Sequence, residues 1–89
     1  MVFEAVESPL PGKVIKVHVA AGDIIIEGDK VCTIESMKME NPVLSPVGGR
    51  VAEVKVSVGQ QVDRGQVLVL VEHQAVPANR GVYLGENQN

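Results

Sequence analysis

Val17 and Val19 alternate with Lys16 and His18, the period-two pattern of a strand with one buried face. Val14 falls out of that phase, so a bulge or bend is expected between Val14 and Val17. The pattern then returns. Residues 8–35 align without a gap to residues 45–72, with identities at Ser8/Ser45, Pro9/Pro46, Gly12/Gly49, Val14/Val51, Val17/Val54, Val19/Val56, Gly22/Gly59, Gly28/Gly65 and Glu35/Glu72. The repeat sorts core from surface. Ile24, Ile25 and Ile26 have Gln61, Val62 and Asp63 as mates, so only Ile25 and Val62 are predicted core, with Ile24 and Ile26 nearer solvent. Cys32/Val69 and Ile34/Val71 are apolar in both copies and are also predicted core. Thr33, whose mate is Leu70, is expected on the outer face.

Each half therefore predicts the same elements. A Ser-Pro turn leads to a strand (13–19 and 50–56), then a glycine turn at Gly22 or Gly59. A short strand follows around Ile25 or Val62, then a second glycine turn at Gly28 or Gly65, then a strand (31–35 and 67–72). Aligning residues 2–7 with 39–44 adds one more strand to each half. No segment has a helical period. The expected fold is all-β: a flattened antiparallel barrel-sandwich of two four-stranded sheets with a pseudo-twofold internal repeat. Residues 1–73 form the expected domain. Residues 74–89 have no mates in the repeat, are rich in Asn, Gly and Gln, and are expected to be a loosely ordered tail. A geometric expectation follows. The strand ending at Glu35 is joined to the strand starting at Met39, whereas their mates, ending at Glu72 and starting at Val2, are chain ends. The Ser36-Met37-Lys38 junction and the ends of the domain should lie at opposite ends of the body.

Composition narrows the function classes. Valine dominates, and Phe3 and Tyr83 are the only aromatic residues in a chain of 89. The net charge is −3 and the cations are scattered, so the electrostatic footprint of a nucleic-acid binder is missing. No stretch approaches the length of a membrane-spanning helix, and the acidic opening MVFEAVESPLP does not read as a signal peptide. Cys32 is the single cysteine, so no internal disulfide can form, and between Val31 and Thr33 it reads as a small buried hydrophobe. These features together fit a cytoplasmic protein. Catalysis by the chain itself is disfavoured. His18 and His73 are the only histidines; His18 has Lys55 as its mate and reads as a surface residue, and His73 follows the last core strand. No Ser-His-Asp order, paired cysteine or metal-ligand spacing occurs.

The remaining candidate chemistry is at the junction of the two halves. Tight turns favour Asn, Gly and Asp, which tolerate positive φ, yet this one carries Met37-Lys38-Met39 flanked by Glu35, Ser36 and Glu40. Two thioethers around one amine read as a recognition surface, because Met adapts to varied partners. An exposed lysine is a poor nucleophile at neutral pH, so any acylation of Lys38 draws its activation from a modifying enzyme.

Glu35-Ser36-Met37-Lys38-Met39-Glu40 resembles the biotinyl-attachment motif Glu-Ala/Ser-Met-Lys-Met, and residues 4–73 resemble the biotin carboxyl carrier domains of biotin-dependent carboxylases and decarboxylases. Pro9, Gly12, Val14, Gly22, Asp23, Gly28 and Asp29 match the family's first half, and Pro46, Gly49 and Gly59 its second. Ser36 stands where Ala is commoner. Val19 and Gly22 are too close to hold the inserted thumb of some acetyl-CoA carboxylase carriers. The resemblance implies that biotin is carried covalently on Lys38, attached by a biotin protein ligase. Met37 and Met39, with Glu35, Ser36 and Glu40, would form the recognition motif. It further implies that the domain, itself non-catalytic, shuttles a carboxyl group between a biotin carboxylase and a carboxyltransferase. Two alternatives share the fold. A lipoyl carrier domain would have Asp-Lys-Ala, where this chain has Met37 and Met39 around the lysine. An unmodified barrel-sandwich interaction module would usually insert a long helical hairpin where this chain has three residues.

Overall fold

A computed structural model describes residues 2–73, so the expectation for the 74–89 tail lies outside the described residues. Eight strands occur in the order β1 (Val2–Glu7), β2 (Gly12–Val17), β3 (Ile24–Ile25), β4 (Lys30–Ser36), β5 (Met39–Leu44), β6 (Gly49–Val54), β7 (Gln61–Val62) and β8 (Val67–His73). All pairings are antiparallel, and the two four-stranded sheets have the orders β1-β8-β6-β3 and β5-β4-β2-β7. Replacing each strand of the first order by its repeat mate gives the second. The repeat is thus a twofold operation that exchanges the sheets, and each sheet contains two strands from each half.

The hydrogen bonds obey the same operation. Val51 donates to Asp23 O at 2.8 Å and accepts from Gly22 N at 2.7 Å; Val14 donates to Gln60 O at 2.8 Å and accepts from Gly59 N at 2.7 Å. Ser8 and Ser45 are buried, and each hydroxyl donates to a carbonyl two residues on, Leu10 O and Val47 O, both at 2.6 Å. Asp23 and Asp29 cap their turns by accepting from Ala20 N and Ile26 N, and their mates Gln60 and Gln66 do so from Ser57 N and Asp63 N. A carboxylate in one half and a carboxamide in the other perform one task, because the turn needs only a side-chain oxygen at that point.

The core lies between the sheets and is almost all aliphatic: Val6, Val14, Ile25, Val31, Cys32, Ile34, Val43, Val51, Val56, Val62, Leu68, Val69 and Val71. Ile25 and Val62 are buried while Ile24 is 76% exposed, as the mate comparison predicts. The predicted irregularity after Val14 is present, with a register shift between Val14 and Lys16 and its mate between Val51 and Glu53. Further shifts in the β4–β5 and β1–β8 ladders skip Val31 and Leu68, also repeat mates. An extra residue on one strand turns its side chain inward beside its neighbour, so Val31 and Cys32 are both fully buried.

Three expectations need correction. Thr33 is buried, at 5% exposure. Alternation with Cys32 and Ile34 does turn it outward, but β4 is a central strand. Thr33 lies opposite Lys16 on β2 and Pro42 on β5, and its Oγ1 is 2.8 Å from His18 Nε2. Flanking side chains on both sides remove it from water. The strands predicted over 13–19 and 50–56 start one residue earlier and end at Val17 and Val54, because the backbone then leaves the ladder for the glycine turns. His73 does not follow the last strand but closes it, opposite Val2.

The registers also fix where the ends go. β2 starts beside Glu35 and runs away from the Lys38 junction to the Gly22 turn, which bonds to Val51. Ile24 then meets Arg50, on the rung of Glu72 and Phe3, next to the Val2–His73 pair. The Lys38 junction and the ends of the sheet structure are therefore separated by the length of the long strands.

Gly22 has φ 97°, and a Cβ there would meet nothing within 4 Å. Substitution costs only backbone strain, so Gly22→Val should lower unfolding free energy by about 1–3 kcal/mol in a urea titration. An unchanged midpoint would show that the turn tolerates a branched side chain. Burial pushes the Cys32 thiol from 9.0 up to about 11. The folded protein at pH 7 should therefore resist a thiol reagent that labels it at once in denaturant. Rapid labelling under native conditions would contradict that burial.

Candidate functional site

Ser36 and Met39 are the last paired residues of the β4–β5 hairpin, leaving Met37 and Lys38 as a two-residue turn. Their φ angles are 54° and 64°, both left-handed, as a type I′ turn requires. Neither side chain favours that region, and each such residue costs about 1–2 kcal/mol relative to the right-handed region. Strain of this kind survives only where the surroundings over-determine it.

The surroundings do so from three directions. The β4–β5 ladder continues below the turn through Glu35↔Glu40, Ile34↔Asn41, Thr33↔Pro42 and Cys32↔Val43. Ile34, fully buried, anchors that ladder to the core. On the other side β2 presses against β4 at Gly12. A Cβ there would lie 2.5 Å from Glu35 O and 2.6 Å from Ile34 Cγ2, so only glycine permits the approach. From β5, the Asn41 side-chain nitrogen donates to Met39 O and to Ile34 O, each at 3.2 Å.

The turn itself is offered to solvent. Met37 is 92% exposed and Met39 66%, and Lys38 between them is exposed too. Ser36 is half-buried, while Glu35 and Glu40 are exposed. These two carboxylates face each other across the ladder one rung below the turn, a like-charge pairing that opposes sheet stability. Lys13 lies next to Glu35 on β2, yet no ion pair forms. The repeat-related rung behaves differently, with Arg50 Nη2 held 2.8 Å from Glu72 Oε1. Among the described residues, neither Glu35 nor Glu40 is paired with a cation. The lysine thus projects from a rim of two apolar thioethers above two free carboxylates.

All six residues singled out from the sequence (35–40) belong to this hairpin. Two supporting residues escaped that reading. Asn41 stands where the mate is Glu4, and Asn is disfavoured inside strands, which was the available signal. Gly12 was noted for its identity with Gly49, but its close approach to Glu35 is visible only in three dimensions. No histidine reaches the turn: His18 bonds to Thr33 further down β4, and His73 lies at the opposite end.

The model of a family described as biotin-requiring enzyme matches residues 4–71. The mitochondrial propionyl-CoA carboxylase alpha chain of Sus scrofa is 42% identical over 65 residues, covering 73% of this chain and 9% of that protein. The dihydrolipoyllysine-residue acetyltransferase component of the pyruvate dehydrogenase complex of Cupriavidus necator is 51% identical over 65 residues, covering 73% of this chain and 12% of its own. Among solved structures, the urea carboxylase of Kluyveromyces lactis superimposes with a TM-score of 0.76 at 29% identity, over 81% of this chain and 6% of that one. The chain spans about a tenth of the length of the curated relatives it matches. A match across nearly the whole described fold, with an exposed lysine at the turn that joins two interleaved halves, shows that this chain belongs to the biotin/lipoyl attachment family.

Proposed function

We propose that this chain is a biotin carboxyl carrier. Lys38 receives biotin in amide linkage from a biotin protein ligase, and the loaded domain visits a biotin carboxylase and a carboxyltransferase in turn. The observation that carries this is the Met-Lys-Met turn, an amine between two exposed thioethers at the far end from the domain's termini. The alpha chain of propionyl-CoA carboxylase among its relatives supports the same reading.

The residues present fit the group. Lys38 is exposed at the turn, so an acyl chain on Nζ has open solvent to occupy. Biotin, when attached, supplies the ureido nitrogen on which a carboxyl group travels. Every other contribution comes from the chain. In loading, Lys38 Nζ attacks the activated acyl carbon, an amide bond forms, the adenylate leaves, and the amine's proton passes to a base. Among the described residues no side chain pairs with Lys38 Nζ, so we assign that base to the ligase, in keeping with a carrier role for the domain. Met37 and Met39 supply apolar contact that can adapt to three different enzymes. The free carboxylates of Glu35 and Glu40 favour partners that bring positive charge to this face. The rigid body then holds one tethered group near two active sites, which raises its effective concentration at each.

Lipoate carriage is the second reading. It is favoured by the 51% identity to an acetyltransferase component named for its dihydrolipoyllysine. The Met37 and Met39 flanks oppose it, since neither matches Asp-Lys-Ala.

Incubation with biotin, ATP and a biotin protein ligase should add one biotinyl group, seen by intact mass and avidin binding, and Lys38→Arg should abolish it without changing Tm. Labelling by a lipoate ligase in its place would select the second reading, and attachment at another lysine would end both. Asn tolerates the left-handed region, so Met37→Asn should stabilise the hairpin by about 1 kcal/mol while slowing carboxyl transfer with partner enzymes. Undiminished turnover would show that the Met37 thioether is not read.

A further inference from the structure

We propose that Asn41 is a positioning residue for Lys38, a side-chain clamp that holds the strained turn in its presenting conformation. This rests on the carrier reading above and adds to it the device that makes the amine presentable.

Met37 and Lys38 both occupy the left-handed region, and nothing in their own chemistry keeps them there. The holding force has to come from neighbours. Asn41 lies three residues beyond the turn on β5, directly opposite Ile34 on β4. Its Nδ2 donates to two carbonyl oxygens at once: Met39 O, on the strand that leaves the turn, and Ile34 O, on the strand that enters it. One half-buried carboxamide therefore ties both legs of the hairpin together, just beneath the two strained residues.

The repeat supplies an internal control. The mate of Asn41 is Glu4, on β1 at the opposite end of the body, where the equivalent strands are not joined by a turn. Glu4 makes no side-chain hydrogen bond among the described residues. The amide clamp is present only in the half that has a turn to hold. The residue type also fits. An Asp at 41 would aim acceptors at two acceptors and add a third carboxylate to Glu35 and Glu40. An Ala would leave the legs untied.

Loosening the clamp lowers the fraction of molecules with Lys38 in the presenting conformation, and the apparent affinity of any enclosing enzyme falls by that fraction. The effect belongs in KM. Unfolded domain would raise the apparent KM in the same way, because the domain is the ligase's substrate, so KM is referred to the folded domain, its fraction read from the amide spectrum of each variant. In steady-state biotinylation by a biotin protein ligase, Asn41→Ala and Asn41→Asp should raise KM for the domain by about 5–10-fold with kcat retained. Asn41→Gln, which keeps the donor on a longer arm, should stay within about twofold of the parent. Intraresidue HN–Hα NOEs at Met37 and Lys38, strong when φ is positive, report the turn without any ligase, and should weaken in the Ala and Asp variants. Unchanged NOEs and KM in folded Asn41→Ala would overturn the clamp, and so would a KM rise in Asn41→Gln equal to that of Asn41→Ala. A parent protein that takes no biotin would sink the carrier reading. The NOEs would then still decide whether Asn41 holds the turn.

Discussion

The backbone of Val14 is bound to Gly59 and Gln60, and that of Val51 to Gly22 and Asp23. Each of these contacts joins one half of the repeat to the other. Together with the strand orders, they mean that neither half owns a sheet. Half of the repeat alone would have two unpaired strands, an open apolar face and turns with no partner for their amides. A small domain with a thin core gains its cooperativity in this way: the aliphatic layer closes only when both halves contribute. The position of Lys38 is a by-product of that closure. Its turn is the covalent link between halves that hold each other everywhere else.

A near-perfect internal symmetry makes its violations informative. Ile24, on the rung of Arg50, Glu72 and Phe3, is apolar and exposed, and its mate Gln61 is polar. Phe3 likewise has Glu40 as its mate. The end that carries the lysine is thus acidic and polar apart from its thioethers, whereas the end with Val2 and His73 sets exposed Val2, Phe3 and Ile24 around the Arg50–Glu72 ion pair. The scaffold is common to both ends, and the surface is not. Packing dictates the first, so it repeats. The second answers to whatever each end meets, so it diverges.

Much of the fold was legible because duplication gives every position a second measurement. Ile25 was separable from Ile24 and Ile26 only through Val62, and the bulge after Val14 was visible as a break in phase that recurs after Val51. Thr33 shows the limit. Its mate Leu70 reports which way the side chain turns, but not that His18, Lys16 and Pro42 surround it. Coverage on an outer face is a tertiary property with no period. The site was legible in its residues and not in its geometry. Met and Lys carry no local signal for a left-handed backbone, and the reach of Asn41 to Ile34 O depends on a register that the sequence leaves open.

Strand order has a consequence in time. Of these eight strands β8 is the last to leave a ribosome, yet it lies inside its sheet, between β1 and β6. Until it arrives, β1 has no neighbour, and the inward faces of both sheets stay wet. Such long-range pairing forms late, after the entropy of closing a long loop has been met. Lys38 emerges from the tunnel well before that moment, on a hairpin whose anchor, Ile34, still has no closed core to hold it. An enzyme that reads the shape of the turn, and not the linear motif alone, would in effect be inspecting finished molecules and passing over unfinished ones.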